Sequence, residues 1–277
     1  MKTHLLCGAL LLSSLAQAQY YYKDIIGTKE TTAIIKTYVA NKVGKVLVNT
    51  YDADGNKSTD VYVEQQFSVK DLRLKTITRS DEDDQSILTS FADAEGRVIK
   101  TIDSSQNLVT TTLYQYDVQG KLSLIAAATI DAAKGINERE EHQWKYSNNN
   151  ITTMLRIKNG TDTAYVSFKL DAAGNVSEEQ SLRKGIKSDP VYYYYDAQNR
   201  LTDIVRYNNR QKRLLPEYMF EYSPANLVIQ RITVPGNSSD YTIWRYQYDG
   251  TGLKIKEAVY DKYKQLTGKI EYLYQRG

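Results

Sequence analysis

The sequence predicts an all-β chain, an antiparallel array of β-hairpins that repeats along its length as a curved or closed sheet, and three observations predict it. The first is composition: 24 tyrosines against 4 prolines in 277 residues, and tyrosine favours strands, where it buries a ring and keeps its hydroxyl wet. The second is a recurring motif, an aromatic or apolar residue followed by Asp or Ser, two variable residues, and Gly, Asn or Asp. The third is a period of two in the residues before each motif, the signature of a strand buried on one face.

The motif occurs nine times, starting at Tyr51, Phe67, Ala92, Tyr116, Tyr146, Leu170, Tyr195, Tyr222 and Tyr248. From Asp93 onward it returns about every 25 residues. Each residue type has a mechanical role. The Asp or Ser oxygen folds back onto a backbone N–H two residues on, and Gly or Asn accepts the left-handed conformation that ends the turn. Before the turn, aromatic pairs such as Tyr114 and Tyr116, Trp144 and Tyr146, Tyr193 and Tyr195 flank mostly polar residues such as Gln115 and Lys145. One strand face is therefore aromatic and the other mostly polar. A second strand follows each motif, as in Leu122 to Ala126 and Leu201 to Tyr207, and ends in further turn-formers. Asn159-Gly160 is the strongest of these, because a tight hairpin needs positive φ at both central residues. Two strands per unit give roughly 18 strands of ordinary length, spread from about residue 40 to 277 with residues 19–40 capping the first of them.

The opening residues carry different information. Lys2, the apolar run Leu5 to Leu15 and the small-x-small sequence Ala16, Gln17, Ala18 read as a secretory leader over residues 1–18. The expected β domain is then 19–277, in the periplasm, at the surface or outside a Gram-negative cell. Cys7, the one cysteine, falls in the leader, so the domain is expected to hold by packing and hydrogen bonds without disulfides. No later segment approaches the roughly 18–20 apolar residues of a membrane helix. The 36 basic and 33 acidic residues are interspersed, which implies no nucleic-acid surface.

The pattern resembles the YD-repeat (RHS) family, whose signature is Tyr-x-Tyr-Asp followed two residues later by Gly-Arg-Leu. Tyr114 to Leu122 and Tyr193 to Leu201 carry the likeness most fully, and it extends over about residues 48 to 260. It implies hairpins coiled into a β-shell. This chain departs from the large members in its length and in having no recognisable core junction or toxin domain. It is more similar to the short stand-alone YD-repeat proteins exported by Gram-negative Bacteroidota.

Catalytic chemistry has few candidates. After the leader the only histidine is His142, which shares a strand face with Trp144 and Tyr146, so a triad has one possible base and a multi-histidine or cysteinyl zinc site has no ligands. The acidic run Asp81 to Asp84, and Asp52, Asp54 and Asp60 around Gly55, lack the ligand spacing of a calcium loop. No carboxylate pair stands outside the turn logic. The expectation is a non-catalytic scaffold, without metal or cofactor, that binds a glycan or a cell-envelope protein. An outer-membrane β-barrel is the alternative and an envelope hydrolase the third reading. The tyrosine ladder is read first as core. If a ligand surface exists, the sequence points to Tyr192 and Tyr194, on the strand face opposite Tyr193 and Tyr195, with Arg206 on the strand that follows and Trp244 as an addition.

Overall fold

The computed structural model describes residues 20–81, 84–235, 238 and 240–277. The expected leader lies outside the described residues, as do Glu82 and Asp83 of the acidic run and part of the turn after Pro235. The chain is an all-β antiparallel array. Among the described residues it forms nineteen strands and one helix, α1 (Lys23–Ala40). The first strands are β1 (Val43–Asp52), β2 (Tyr62–Ser68), β3 (Arg73–Asp81), β4 (Asp84–Ala92), β5 (Val98–Ser105), β6 (Leu108–Tyr116) and β7 (Leu122–Asp131). There follow β8 (Ile136–Ser147), β9 (Asn150–Lys158), β10 (Asp162–Leu170), β11 (Val176–Arg183), β12 (Ile186–Lys187) and β13 (Val191–Tyr195). The last are β14 (Leu201–Asn208), β15 (Arg213–Tyr222), β16 (Val228–Thr233), β17 (Thr242–Tyr248), β18 (Lys254–Tyr260) and β19 (Leu266–Arg276). Two compact units result: the first runs to Glu140 and includes Tyr248–Lys256 and Gly268–Gly277, and the second comprises Glu141–Gln247 and Glu257–Thr267.

The repeated turn explains why these residues fold this way. In the turn after β4, the backbone N–H of Asp93 donates to Arg97 O and that of Gly96 to Asp93 O, both at 2.9 Å. Asp93 Oδ1 accepts the N–H groups of Glu95 (3.1 Å) and Arg97 (2.8 Å). The same pair of side-chain bonds recurs at Asp117, Asp171, Asp196 and Asp249. The closing residue lies in the left-handed region each time, for example Gly174 at φ +87° and Asn199 at φ +58°. The turns at Asp93, Asp117, Asp171 and Asp196 each set a one-residue bulge at the same place, as between Tyr194 and Tyr195 or Gln115 and Tyr116, the expected signature of a type I turn closed by a left-handed residue.

Two of the nine motifs fold differently. After β2 the left-handed residue is Leu72 (φ +44°), one place beyond the expected Asp71. Tyr146 to Asn150 makes a two-residue turn with both Asn148 (φ +48°) and Asn149 (φ +69°) left-handed, because asparagine tolerates that region at consecutive positions. A further copy joins β18 to β19: Asp261 Oδ1 accepts from the N–H groups of Tyr263 (2.8 Å) and Gln265 (2.9 Å), with Lys264 at φ +63° in the glycine place. Asn159-Gly160 forms the tight hairpin between β9 and β10, with positive φ at both residues.

Successive repeats are tied by the motif tyrosine. Tyr116 Oη donates to Val98 O (2.8 Å), Tyr195 Oη to Val176 O (2.9 Å) and Tyr222 Oη to Leu201 O (2.8 Å). The acceptor is always the fifth residue after the Asp of the preceding motif, and Tyr274 repeats the bond to Lys254 O at 2.8 Å. Where the residue after the closing Gly or Asn is arginine, a second tie forms. Arg97 Nε donates to Asp93 Oδ2 (2.7 Å) while its guanidinium carbon sits 4.9 Å from the Tyr116 ring centre. Arg200 does the same between Asp196 (2.7 Å) and Tyr222 (4.8 Å). Burial, with the Asp93 charge second, pushes the Tyr116 phenol up to about 12, so it remains a donor.

The fold class holds, and residues 19–40, expected only to cap the first strands, contribute an 18-residue helix. Its β-branched content gives it weak intrinsic propensity. Tertiary packing supplies the rest: Thr28, Ile35 and Tyr38 are buried, and Tyr38 donates to Gln65 Oε1 (2.6 Å) and meets Phe67 and Tyr274 edge-on. Asn41 ends the helix by donating its amide to Thr37 O (2.9 Å), and Lys42 (φ +52°) turns the chain into β1. In the first unit β1 pairs on both sides, with β2 and with β19, the last strand.

Candidate functional site

Directly opposed residues of an antiparallel pair project from the same sheet face, so the registers of the second unit sort its side chains. The inner face holds Trp144 stacked on Phe168 at 5.6 Å, and Tyr193 donating to the buried Glu179 at 2.8 Å. Of the aromatic positions before the turns of this unit, Trp144 and Tyr193 are buried, while Tyr146, Phe168, Tyr195, Phe220, Tyr222 and Tyr246 are half-buried. Arg206 pairs in register with Val191, and Ile204 with Tyr193, which puts Arg206 on this inner face. Its Nε lies 3.3 Å from Glu217 Oε2. Burial raises the Glu217 carboxyl above its ordinary range, with Arg206 opposing that rise. Trp244 is also inside, only 8% exposed, with Arg231 5.5 Å from its ring centre.

The outer face carries Tyr192 and Tyr194, in register with Val205 and Asp203, and Tyr194 is 49% exposed. The expected grouping of Tyr192, Tyr194, Arg206 and Trp244 is thus split. The two tyrosines share the outer face, whereas Arg206 and Trp244 are committed inside. The physical reason is parity: in this register Arg206 opposes Val191, an odd number of residues from Tyr192 and Tyr194, so it projects from the other side.

That outer face contains a groove of 260 Å³ over β8 to β12. Its floor is two cross-strand rungs. One is Leu155, Tyr165, Leu182 and Lys187, each opposite the next. The other is Thr153, Ser167 and Gln180. Tyr165 is 62% exposed, a flat ring standing in water beside hydroxyls and a carboxamide. Lys145 enters from β8 and Lys187 from β12. The neighbouring rung is closed on itself, because Lys169 and Glu178 pair at 2.8 Å beside Tyr192. Sequence reasoning passed over Tyr165, although a signal was present: Phe168 on the aromatic face implies that Tyr165, three residues earlier, points the other way.

A second cluster lies in the first unit. Glu64 accepts from Lys45 (2.8 Å), Tyr62 and Gln66, and the Lys45 ammonium, with the Tyr62 hydroxyl second, holds its carboxyl down at about 2. Its charge is already satisfied by its neighbours. His142 is buried on β8, on the face of Trp144.

No family model and no curated protein matches this chain. Among solved structures it is similar to a chain of the TcdB2-TccC3-Cdc42 complex, at 13% identity and a TM-score of 0.34, over 76% of this chain and 11% of that one. It is also similar to a chain of the Photorhabdus luminescens Tc holotoxin pore, at 11% identity and a TM-score of 0.31, over 82% and 15% of the respective chains. The chain spans a small fraction of either neighbour's length.

Proposed function

We propose that this chain is a non-catalytic, exported scaffold of the YD-repeat type that binds glycan at the cell envelope through the outer face of its second unit. The observation that carries the reading is the groove beside Tyr165, in which an exposed aromatic ring stands next to Thr153, Ser167 and Gln180. A phenol face stacks against the C–H side of a sugar ring, and hydroxyl and carboxamide groups bond its hydroxyls. A protein ligand that adds as a strand needs a free sheet edge. The floor strands β9, β10 and β11 are paired on both sides, which favours a ligand gripped by side chains. Against the barrel alternative stand Lys145, Lys169, Glu178 and Lys187 on the outer face, where a lipid-facing band is apolar. The readout is a glycan array probed with the unaltered protein and with Tyr165→Ala. Retention of a glycan signal by the first and its loss in the second is the expected result, and identical profiles overturn the reading. Fractionation tests the barrel: the protein is expected in the aqueous phase without detergent.

A further inference from the structure

Building on the glycan reading, we infer that the groove's occupant is anionic, an oligosaccharide bearing carboxylate or sulfate groups that lies across the strands from β8 to β12. The charge balance of the groove carries this. Its lining includes two lysines, Lys145 and Lys187, and no carboxylate. Neither lysine shares an ion pair among the described residues, whereas Glu178, on the neighbouring rung of the same face, is engaged by Lys169 at 2.8 Å; Asp189, two residues past Lys187, is not part of the lining. Within the lining the charge is positive and stands at its margins.

The spacing of the lysines shapes the ligand. They stand on strands four positions apart, which at the usual inter-strand distance is roughly 19 Å. One carboxylate cannot reach both, but a chain of several sugars with a charge on more than one of them can. Between the lysines lies Tyr165, flanked by Leu155 and Leu182, to stack a ring in the middle of such a chain. Gln180 donates its amide to Ser188 O (3.0 Å), and the Ser167 hydroxyl donates to Gln180 O (3.3 Å). The carboxamide oxygen and the serine lone pairs are thereby turned toward acceptor duty for sugar hydroxyls. An acidic peptide would meet the same lysines, but the broad ring and the hydroxyl rung have no equivalent use for it.

The test is a binding titration of the full chain with four probes: a hexuronate oligomer, the matching neutral hexose oligomer, a sulfated hexose oligomer and poly-glutamate. Variants are Tyr165→Ala, the double variant Lys145→Gln with Lys187→Gln, and the control Lys169→Gln, each checked for an unchanged circular dichroism spectrum. Binding to the uronate or the sulfated oligomer is expected, and which of the two is tighter identifies the anion. It should weaken about tenfold in the double-lysine variant, about fivefold in Tyr165→Ala and little in Lys169→Gln. Affinity should also fall with added salt. Equal binding of the neutral oligomer overturns the anionic inference and leaves the glycan reading standing. Poly-glutamate bound as tightly as the uronate overturns the saccharide occupant, and no binding to any glycan overturns both.

Discussion

The two ends of the hairpins are built by different rules. At the motif end, turns at Asp93, Asp117, Asp171, Asp196 and Asp249 repeat one arrangement of side-chain bonds. The tyrosine hydroxyl and, in two repeats, an arginine carry that arrangement into the next hairpin. At the other end the turns differ from one another: Asn159-Gly160 and Lys184-Gly185 have two left-handed residues each, while the β5–β6 turn has Gln106 alone at φ +50°. The difference separates two tasks. A turn needs only the right backbone dihedrals, and many short sequences supply them. Registering one hairpin on the next needs side chains at fixed places, so the residues that recur are those that reach across.

The largest effect that tests this comparison is at Asp93. Asp93→Ala removes the acceptor for two backbone N–H groups and for the Arg97 guanidinium, and the arginine then loses its fixed place against Tyr116. A loss of about 2 kcal/mol in unfolding free energy is expected, from three bonds to an ionised carboxylate less their exchange with water. Asn107→Ala, in the turn at the other end of β5, should change it by less than about 0.5 kcal/mol. Denaturant melts of both variants make the measurement. Equal losses would erase the distinction between the ends.

A smaller effect comes from acid. The Asn175 amide and backbone N–H hold the Asp171 carboxyl below its ordinary range, and at Asp196 the Arg200 N–H, opposed by burial and aided by the guanidinium, does the same. A carboxyl whose folded pKa is depressed binds its proton more readily in the unfolded chain. Its stabilisation is therefore complete above the unfolded value of about 4 and is lost as pH falls from there through the folded value. Stability should fall over that window, and less steeply in Asp171→Asn with Asp196→Asn. Thermal melts at about pH 6, 4 and 3 check the sign, and a variant as acid-sensitive as the parent would detach the effect from the motif turns.

What could be read in the sequence follows the same division. The strands, their antiparallel order and most motif turns were legible because alternation and turn chemistry are local. The helix α1 was not: its threonines and isoleucines favour strands, and its helical form rests on tertiary packing, with Thr28 and Ile35 buried and Tyr38 set against Gln65, Phe67 and Tyr274. Of the candidate ligand residues, Tyr192 and Tyr194 were placed together by alternation within one strand. Arg206 was misplaced because its face depends on the register between β13 and β14, which the bulge at Tyr195 sets and a side-chain period alone does not specify. Trp244 was read as available when its face packs inside with Arg231.

The repeat missed at Asp261 gives the smallest and sharpest test. There Lys264 occupies the glycine place at φ +63°, yet Asp261 makes the same two bonds as its counterparts. The side-chain acceptor thus imposes a backbone conformation that lysine resists, since a Cβ in the left-handed region crowds the following carbonyl at a cost of roughly 1–2 kcal/mol. Lys264→Gly removes that strain but adds freedom to the unfolded chain, which takes back part of the gain. A net stabilisation of about 0.5 kcal/mol is expected, seen as a small rise in denaturation midpoint with an unchanged slope. If the Asp were not what closes the turn, Asp261→Ala combined with Lys264→Gly would keep the full gain. If it is, the pair should be less stable than Lys264→Gly by about 1 kcal/mol, because glycine permits the turn while the aspartate selects it.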